Sequence, residues 1–177
     1  MIQSGTVLFC IILGFGGWWL ARLEHGVAGG EAGAVALWQK IFFVAMQYFT
    51  IPELTRSATA WQMGIDNTPP ASAIAALSRL VDAVLDPLRE AWGAPLTVNS
   101  GYRCPALNRA VGGVPHSQHL LGEAADITTG SRHGNCRLWQ LLRRLDLPVD
   151  QAINEHGYQW LHISYGPRHR RQYLTVG

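Results

Sequence analysis

A chain of mixed helix and strand is predicted, and three observations carry the prediction. The segment Ala71–Trp92 sets Ile74, Leu77, Leu80, Val81, Val84, Leu85, Leu88 and Trp92 at helical spacing, an amphipathic stripe. Short runs at Leu96–Ser100 and Ala124–Thr128, each bounded by turn formers, have the length and composition of strands. Near the end, Gln151–Glu155 and Trp160–Tyr165 flank the four residues His-Gly-Tyr-Gln, a spacing that closes a hairpin. At 177 residues one domain with an appendage is expected, and 48% hydrophobic against 15% charged residues suits a packed core and argues against disorder.

Residues 1–45 differ in texture from the rest. Val7–Ala21 is an apolar run below the ~17–20 residues of a spanning helix. It has the length of the hydrophobic part of an export signal, but no Lys or Arg precedes it. Ala34-Val35-Ala36 could serve as a cleavage site, and Gly26–Gly33 as a linker. Signal, membrane anchor and buried helix all stay open for this extension. Between Ala34 and Phe49, Leu37, Ile41, Phe42, Val44, Ala45 and Tyr48 recur at helical spacing. Gln39, Lys40 and Gln47 interrupt that stripe, which favours packing on a core over entering a membrane.

The remainder, residues 46–177, forms the expected domain. Thr50-Ile51-Pro52-Glu53 has the order of a helix start, and Asp66-Asn67-Thr68-Pro69-Pro70 breaks the chain. Pro87 lies inside the long amphipathic pattern, so a kink or break is expected there. Gly93-Ala94-Pro95 ends that helix. A long glycine-rich loop then runs from Gly101 to Gln118, and Arg137–Leu145 has the pattern of a short helix. In the closing hairpin, Glu155 should face Trp160 and Ile153 should face His162. Alternation then sets Glu155 diagonal to His162 on one face.

Net charge is +2, too small to indicate a nucleic-acid partner, and Arg168-His169-Arg170-Arg171 reads first as a solvated tail, with contact to an anionic surface as the second reading. Three cysteines, Cys10, Cys104 and Cys136, form no Cys-x-x-Cys pair, which argues against a zinc knuckle or a disulfide framework. A single Cys104–Cys136 bridge stays open.

The chemistry-bearing stretch is Ser117-Gln-His-Leu-Leu-Gly-Glu-Ala-Ala-Asp126. His119 and Asp126 offer N and O donors, and a catalytic zinc takes three such protein ligands and a water. His162, in Trp-Leu-His-Ile-Ser, is the candidate for the third. Gly122, Ala124 and Ala125 allow the close backbone approach needed where a loop bends into a strand. These residues together suggest a zinc hydrolase.

From about Phe49 onward the chain resembles the zinc metallopeptidases that include D-alanyl-D-alanine carboxypeptidases and L-alanyl-D-glutamate endopeptidases. The likeness rests on Ser100-Gly101-Tyr102-Arg103 with Asn108, on Val111-Gly112-Gly113, and on Ser117-x-His119-x-x-Gly122-x-Ala124-x-Asp126. It also rests on Asp150-Gln151 leading to Glu155, and on Trp160-x-His162. It implies an α+β fold, a small antiparallel sheet with helices packed on it and the zinc site on the sheet. It implies one zinc per chain on His119, Asp126 and His162, with substrate contacts from Arg103 and Ser117. A carboxylate base is also implied. Many members carry that acid three residues before the last histidine, where this chain has Gln159. Glu155 is therefore the candidate base, and Arg103 the candidate for holding a carboxylate or a developing oxyanion. Ser117 would either contact substrate or orient His119.

The partners so implied are peptidoglycan stem peptides, met by a monomer in the cell envelope, in the periplasm or outside the cell. A phage protein acting on a host wall is the alternative setting. D-Ala-D-Ala carboxypeptidase activity is the leading expectation and L-Ala-D-Glu endopeptidase activity the second. A catalytically silent zinc module that binds the wall and a zinc-stabilised structural domain are the non-enzymatic readings.

Overall fold

The computed structural model describes residues 46–177, and every expectation for residues 1–45 lies outside them. Two short helices open the described chain, α1 (Ile51–Thr55) and α2 (Ala58–Gln62). Thr50 caps α1 by accepting from the Glu53 N–H, as its sequence suggested, and Ser57 caps α2 in the same way through the Ala60 N–H. Among the described residues no helix is long and apolar enough to cross a membrane.

The long amphipathic stripe is helical throughout. It comprises α3 (Ala71–Leu80), a π-helical turn (Val81–Leu85) and α4 (Asp86–Trp92). Pro87 has no N–H to give, and the register shift falls just before it, where the Asp86 N–H reaches back to the Val81 carbonyl. The expected break is thus a widened turn. Leu77, Leu80, Val81, Val84, Leu85 and Leu88 remain buried along it. Asp86 holds the entry to the domain by accepting from the Gln47 and Tyr48 N–H groups at 2.6 and 3.1 Å.

Four further elements follow: β1 (Thr97–Ser100), α5 (Pro105–Ala110), a 3₁₀ turn (Gln118–Leu121) and β2 (Ala124–Thr128). The segment expected as one long loop is therefore interrupted by α5, whose Pro105 stands in the first turn and whose N-cap is the Cys104 thiol. Both Cys104 and Cys136 are free, so the two form no bridge. After α6 (Arg132–Leu145) come β3 (Gln151–Glu155), β4 (Trp160–Ser164) and β5 (Gln172–Val176). Asn135 on α6 is buried and donates to the Tyr158 and Gln159 carbonyls at 3.0 and 2.8 Å, tying that helix to the hairpin loop.

The sheet order is β1-β2-β4-β3-β5. Hairpin register matches the expectation, with Glu155 opposite Trp160 and Ile153 opposite His162. The antiparallel expectation needs correction at one edge: β5 pairs with β3 in parallel, so the sheet is mixed. β5 also overturns the reading of the basic run as a tail, since the chain after Arg171 returns to the sheet. Tyr173 packs edge-on against Trp139 of α6, with ring centroids 5.7 Å apart. Ala125, Ile127, Ala152, Leu161 and Ile163 are buried in the core cluster with Leu138 and Leu142 of α6. Asp126 and His162 alternate with those residues along β2 and β4 and so point to the opposite face.

Candidate metal centre and the cleft around it

One row of residues runs straight across the sheet: Ser100, Asp126, His162 and Ile153, each opposite the next on its neighbouring strand. Directly opposed side chains stand about 4.5–5.5 Å apart at Cβ, so register alone brings Asp126 and His162 together. His119 joins them from the 3₁₀ turn. Ser117 starts that turn by accepting from the His119 N–H at 3.4 Å. Gly122 ends it with φ +71, and a side chain there would strike the Ala73 carbonyl of α3.

The three donor atoms meet closely. His119 Nε2 lies 3.2 Å from Asp126 Oδ1 and 3.1 Å from His162 Nδ1, and His162 Nδ1 lies 3.0 Å from Asp126 Oδ1. All three residues are buried. Donors arranged tetrahedrally around zinc at 2.0–2.2 Å stand about 3.3–3.6 Å apart, close to what these atoms show.

Protonation makes the same point. His119 Nδ1 lies 2.7 Å from the Gly101 carbonyl, which accepts its proton and leaves Nε2 bare in a neutral ring. Burial favours that neutral ring, pushing the His119 pKa down against the pull of Asp126. Burial pushes the Asp126 carboxyl up, but the two imidazoles beside it outweigh that, and its pKa is lowered. Two ring nitrogens and a carboxylate oxygen then face one point with at most one proton among them. Such a trio suits a cation, and these residues fit a zinc ion.

Around the trio stands a cavity of about 610 Å³. Arg103, Ser117, His119, Asp126, Glu155 and His162 all line it, so the structure brings every candidate site residue to one place. Arg103 is partly engaged already. Its Nη2 donates to Asp126 Oδ2 at 3.0 Å and its Nε to Ser100 Oγ at 2.9 Å. Glu155 takes part in no hydrogen bond through its side chain among the described residues and stands half-buried at the wall. Trp160 also lines the cavity, tilted against His156 with centroids 4.9 Å apart. His116, His133, His156 and His169 are exposed, and His116 and His156 stand at the cavity wall.

Two features were missed by sequence reasoning. The first is a second lobe of about 840 Å³ that shares Arg103, Val111 and Asp126 with the cavity and continues toward Arg56 and Trp61. Trp61 is 84% exposed there. The second is the C-terminal wall, where Arg168 and Arg170 line the cavity. Arg170 Nε and Nη2 bind Asp150 Oδ1 and Oδ2 at 2.9 and 2.6 Å, and Gln118 Nε2 binds Oδ2 at 2.8 Å. Hydrogen bonds from Arg170 hold the Asp150 carboxyl down at about 2, against the upward push of burial. No local signal could reveal this ion pair, because its partners lie on separate segments.

A zinc D-Ala-D-Ala carboxypeptidase from Streptomyces albus G is 38% identical over 96 residues, 54% of this chain. Those residues span 36% of the relative, so the chain corresponds to about a third of that protein's length. The family model for peptidase M15 matches residues 47–164, well over half of the chain and every residue of the trio. The chain belongs to the peptidase M15 family.

Proposed function

We propose that this chain is a zinc peptidase that hydrolyses peptide bonds in peptidoglycan stem peptides, of the D-Ala-D-Ala carboxypeptidase type. The observation that carries the reading is the convergence of three buried donors, His119, Asp126 and His162, on one point. Zinc, when bound, supplies Lewis acidity that lowers the pKa of a water toward ~7 and polarises the scissile carbonyl.

The chain's own residues do the rest. Gly101 fixes the His119 tautomer by accepting from Nδ1, and Arg103 fixes Asp126 by holding Oδ2. Glu155, at the cavity wall, takes a proton from the attacking water onto its carboxylate and delivers it to the leaving amine. Arg103 Nη1 has no hydrogen-bond partner among the described residues and serves the substrate carbonyl or a carboxylate. Ser117 orients His119 through its backbone N–H and lines the cavity beside it.

The second lobe favours an alternative specificity. A site that removes a terminal residue can end at that residue, whereas the cleft here continues past Arg103 and Asp126 toward Trp61. That continuation supports endopeptidase action on an extended stem peptide, such as cleavage between L-Ala and D-Glu. In either case the working unit is residues 46–177, acting in the envelope or outside the cell. Residues 1–45 serve as an extension dispensable for the chemistry.

Mass spectrometry of muropeptides after incubation, with and without chelator, tests the activity. Loss of one D-Ala marks a carboxypeptidase, and separation of L-Ala from D-Glu marks an endopeptidase. Intact peptides at full zinc occupancy would overturn the reading. His119→Ala should abolish stoichiometric zinc by metal analysis.

A further inference from the structure

At the C-terminal wall of the cavity two guanidiniums face one carboxylate, and a cation is left over. Asp150 is wholly buried and both its oxygens are taken. Oδ1 accepts from the Arg170 N–H and Nε, each at 2.9 Å, and Oδ2 from Arg170 Nη2 and Gln118 Nε2 at 2.6 and 2.8 Å. Arg168 approaches the same Oδ2 only through Nε at 3.9 Å, beyond hydrogen-bond reach. Its side chain makes no hydrogen bond among the described residues and is 55% exposed, yet it lines the cavity that holds His119, Asp126 and His162.

The position is held firmly. Tyr165 N–H donates to the Glu123 carbonyl at 2.9 Å, His169 N–H closes a turn on the Gly166 carbonyl at 3.3 Å, and the Arg170 clamp follows. Arg168 therefore projects from a backbone pinned on both sides. Among the described residues no carboxylate other than Asp150 comes within ion-pair distance of Arg168: Asp126 is engaged by Arg103 and the imidazoles, and the Glu123 carboxylate lies against Gly166. Residues 165–177 also lie beyond the stretch that matches the family.

Resting on the peptidase reading above, we infer that Arg168 is a specificity-determining residue that binds a free carboxylate of the substrate peptide. A planar fork with open N–H edges suits a carboxylate, and Arg170 cannot do the same while clamped to Asp150. Two carboxylates of a stem peptide lie near its cleavable bonds: the terminal one of D-Ala and the α-carboxylate of isoglutamate. Their chemistry is shared, and the experiment separates them.

The test is titration calorimetry on the full-length, zinc-loaded protein. The probe is acetyl-L-Ala-D-isoglutamyl-L-Lys-D-Ala-D-Ala with both carboxylates free, run beside two analogues, one amidated at the C-terminus and one at isoglutamate. Short titrations and Glu155→Gln as the background suppress turnover. Arg168→Gln should weaken the free-acid peptide about 3–30-fold, the range for a partly exposed charge-assisted contact, and Arg168→Lys by less. For one amidated analogue the wild type and Arg168→Gln should bind alike, and that analogue names the carboxylate. Arg171→Gln, which breaks only the exposed pair with Asp146, should bind as wild type. Equal affinity of Arg168→Gln and wild type for the free-acid peptide would overturn the inference. So would equal weakening of all three peptides. If the wild type bound none of them, the peptidase reading itself would fall.

Discussion

Asp150→Asn is the most informative single change for the stability of this domain. Four N–H donors converge on the two oxygens of this buried carboxylate: three from Arg170 and one from Gln118. An asparagine offers one oxygen, so two donors lose their acceptor and meet an NH₂ group instead. An unmet donor costs about 1–3 kcal/mol when buried, and the 30% exposure of Arg170 lets water relieve part of that. The depressed pKa gives a second route to the magnitude. A carboxyl lowered from 3.8 to about 2 reports about 2 kcal/mol of preference for the charged form in the folded state. Both routes point to roughly 2–4 kcal/mol, or a fall in Tm of roughly 8–15 °C for a domain of this size. Because the folded pKa is depressed, the contribution is fully present above the unfolded value of 3.8 and is lost as pH falls through about 2. Urea denaturation of wild type and Asp150→Asn from pH 7 to pH 2 should show a constant gap down to about pH 4 and a shrinking one below it. Equal unfolding free energies for the two proteins at pH 7, or a gap that does not shrink in acid, would refute the reasoning.

Other changes test the site. Glu155→Gln should keep its zinc and lose turnover by about 10²–10⁴, and an unchanged rate would transfer the base role to another group. Arg103→Lys cannot hold Ser100 and Asp126 through a planar fork. Zinc affinity by chelator competition should fall about 10–100-fold, together with kcat/KM. A chain beginning at Met46 retains the Gln47 and Tyr48 N–H groups that Asp86 accepts, and it should be soluble and bind zinc. Insolubility of that chain would mean that the preceding stripe completes the core.

The parts of the structure legible in the sequence were those with local signals. The hairpin follows from two strand patterns and a four-residue loop, and that register alone sets Glu155 diagonal to His162. The helical stripe was visible because its periodicity persists across the π-helical turn, although nothing local announced that the turn would widen before Pro87 instead of breaking. β5 was invisible for a physical reason. Gln172, Leu174, Thr175 and Val176 are exposed, so no alternation of apolar and polar residues marks it, and its hold on the sheet comes from backbone pairing and Tyr173. Arg168 and Arg170 looked like solvated charge because the acid that organises them lies on a distant segment.

The direct pairing of Asp126 with His162 also bears on how the chain reaches its native state. Strands slide past one another early in folding, and a slip of one residue turns every side chain to the other face. A slip between β2 and β4 would send one of the two residues into the helix-packed layer and pull the trio apart. With zinc on these residues, only the correctly aligned sheet gains the free energy of binding, and misaligned chains gain none. Metal present during refolding should therefore act as a proofreader of strand alignment, raising the yield of native chain more than it raises the rate at which the helices form.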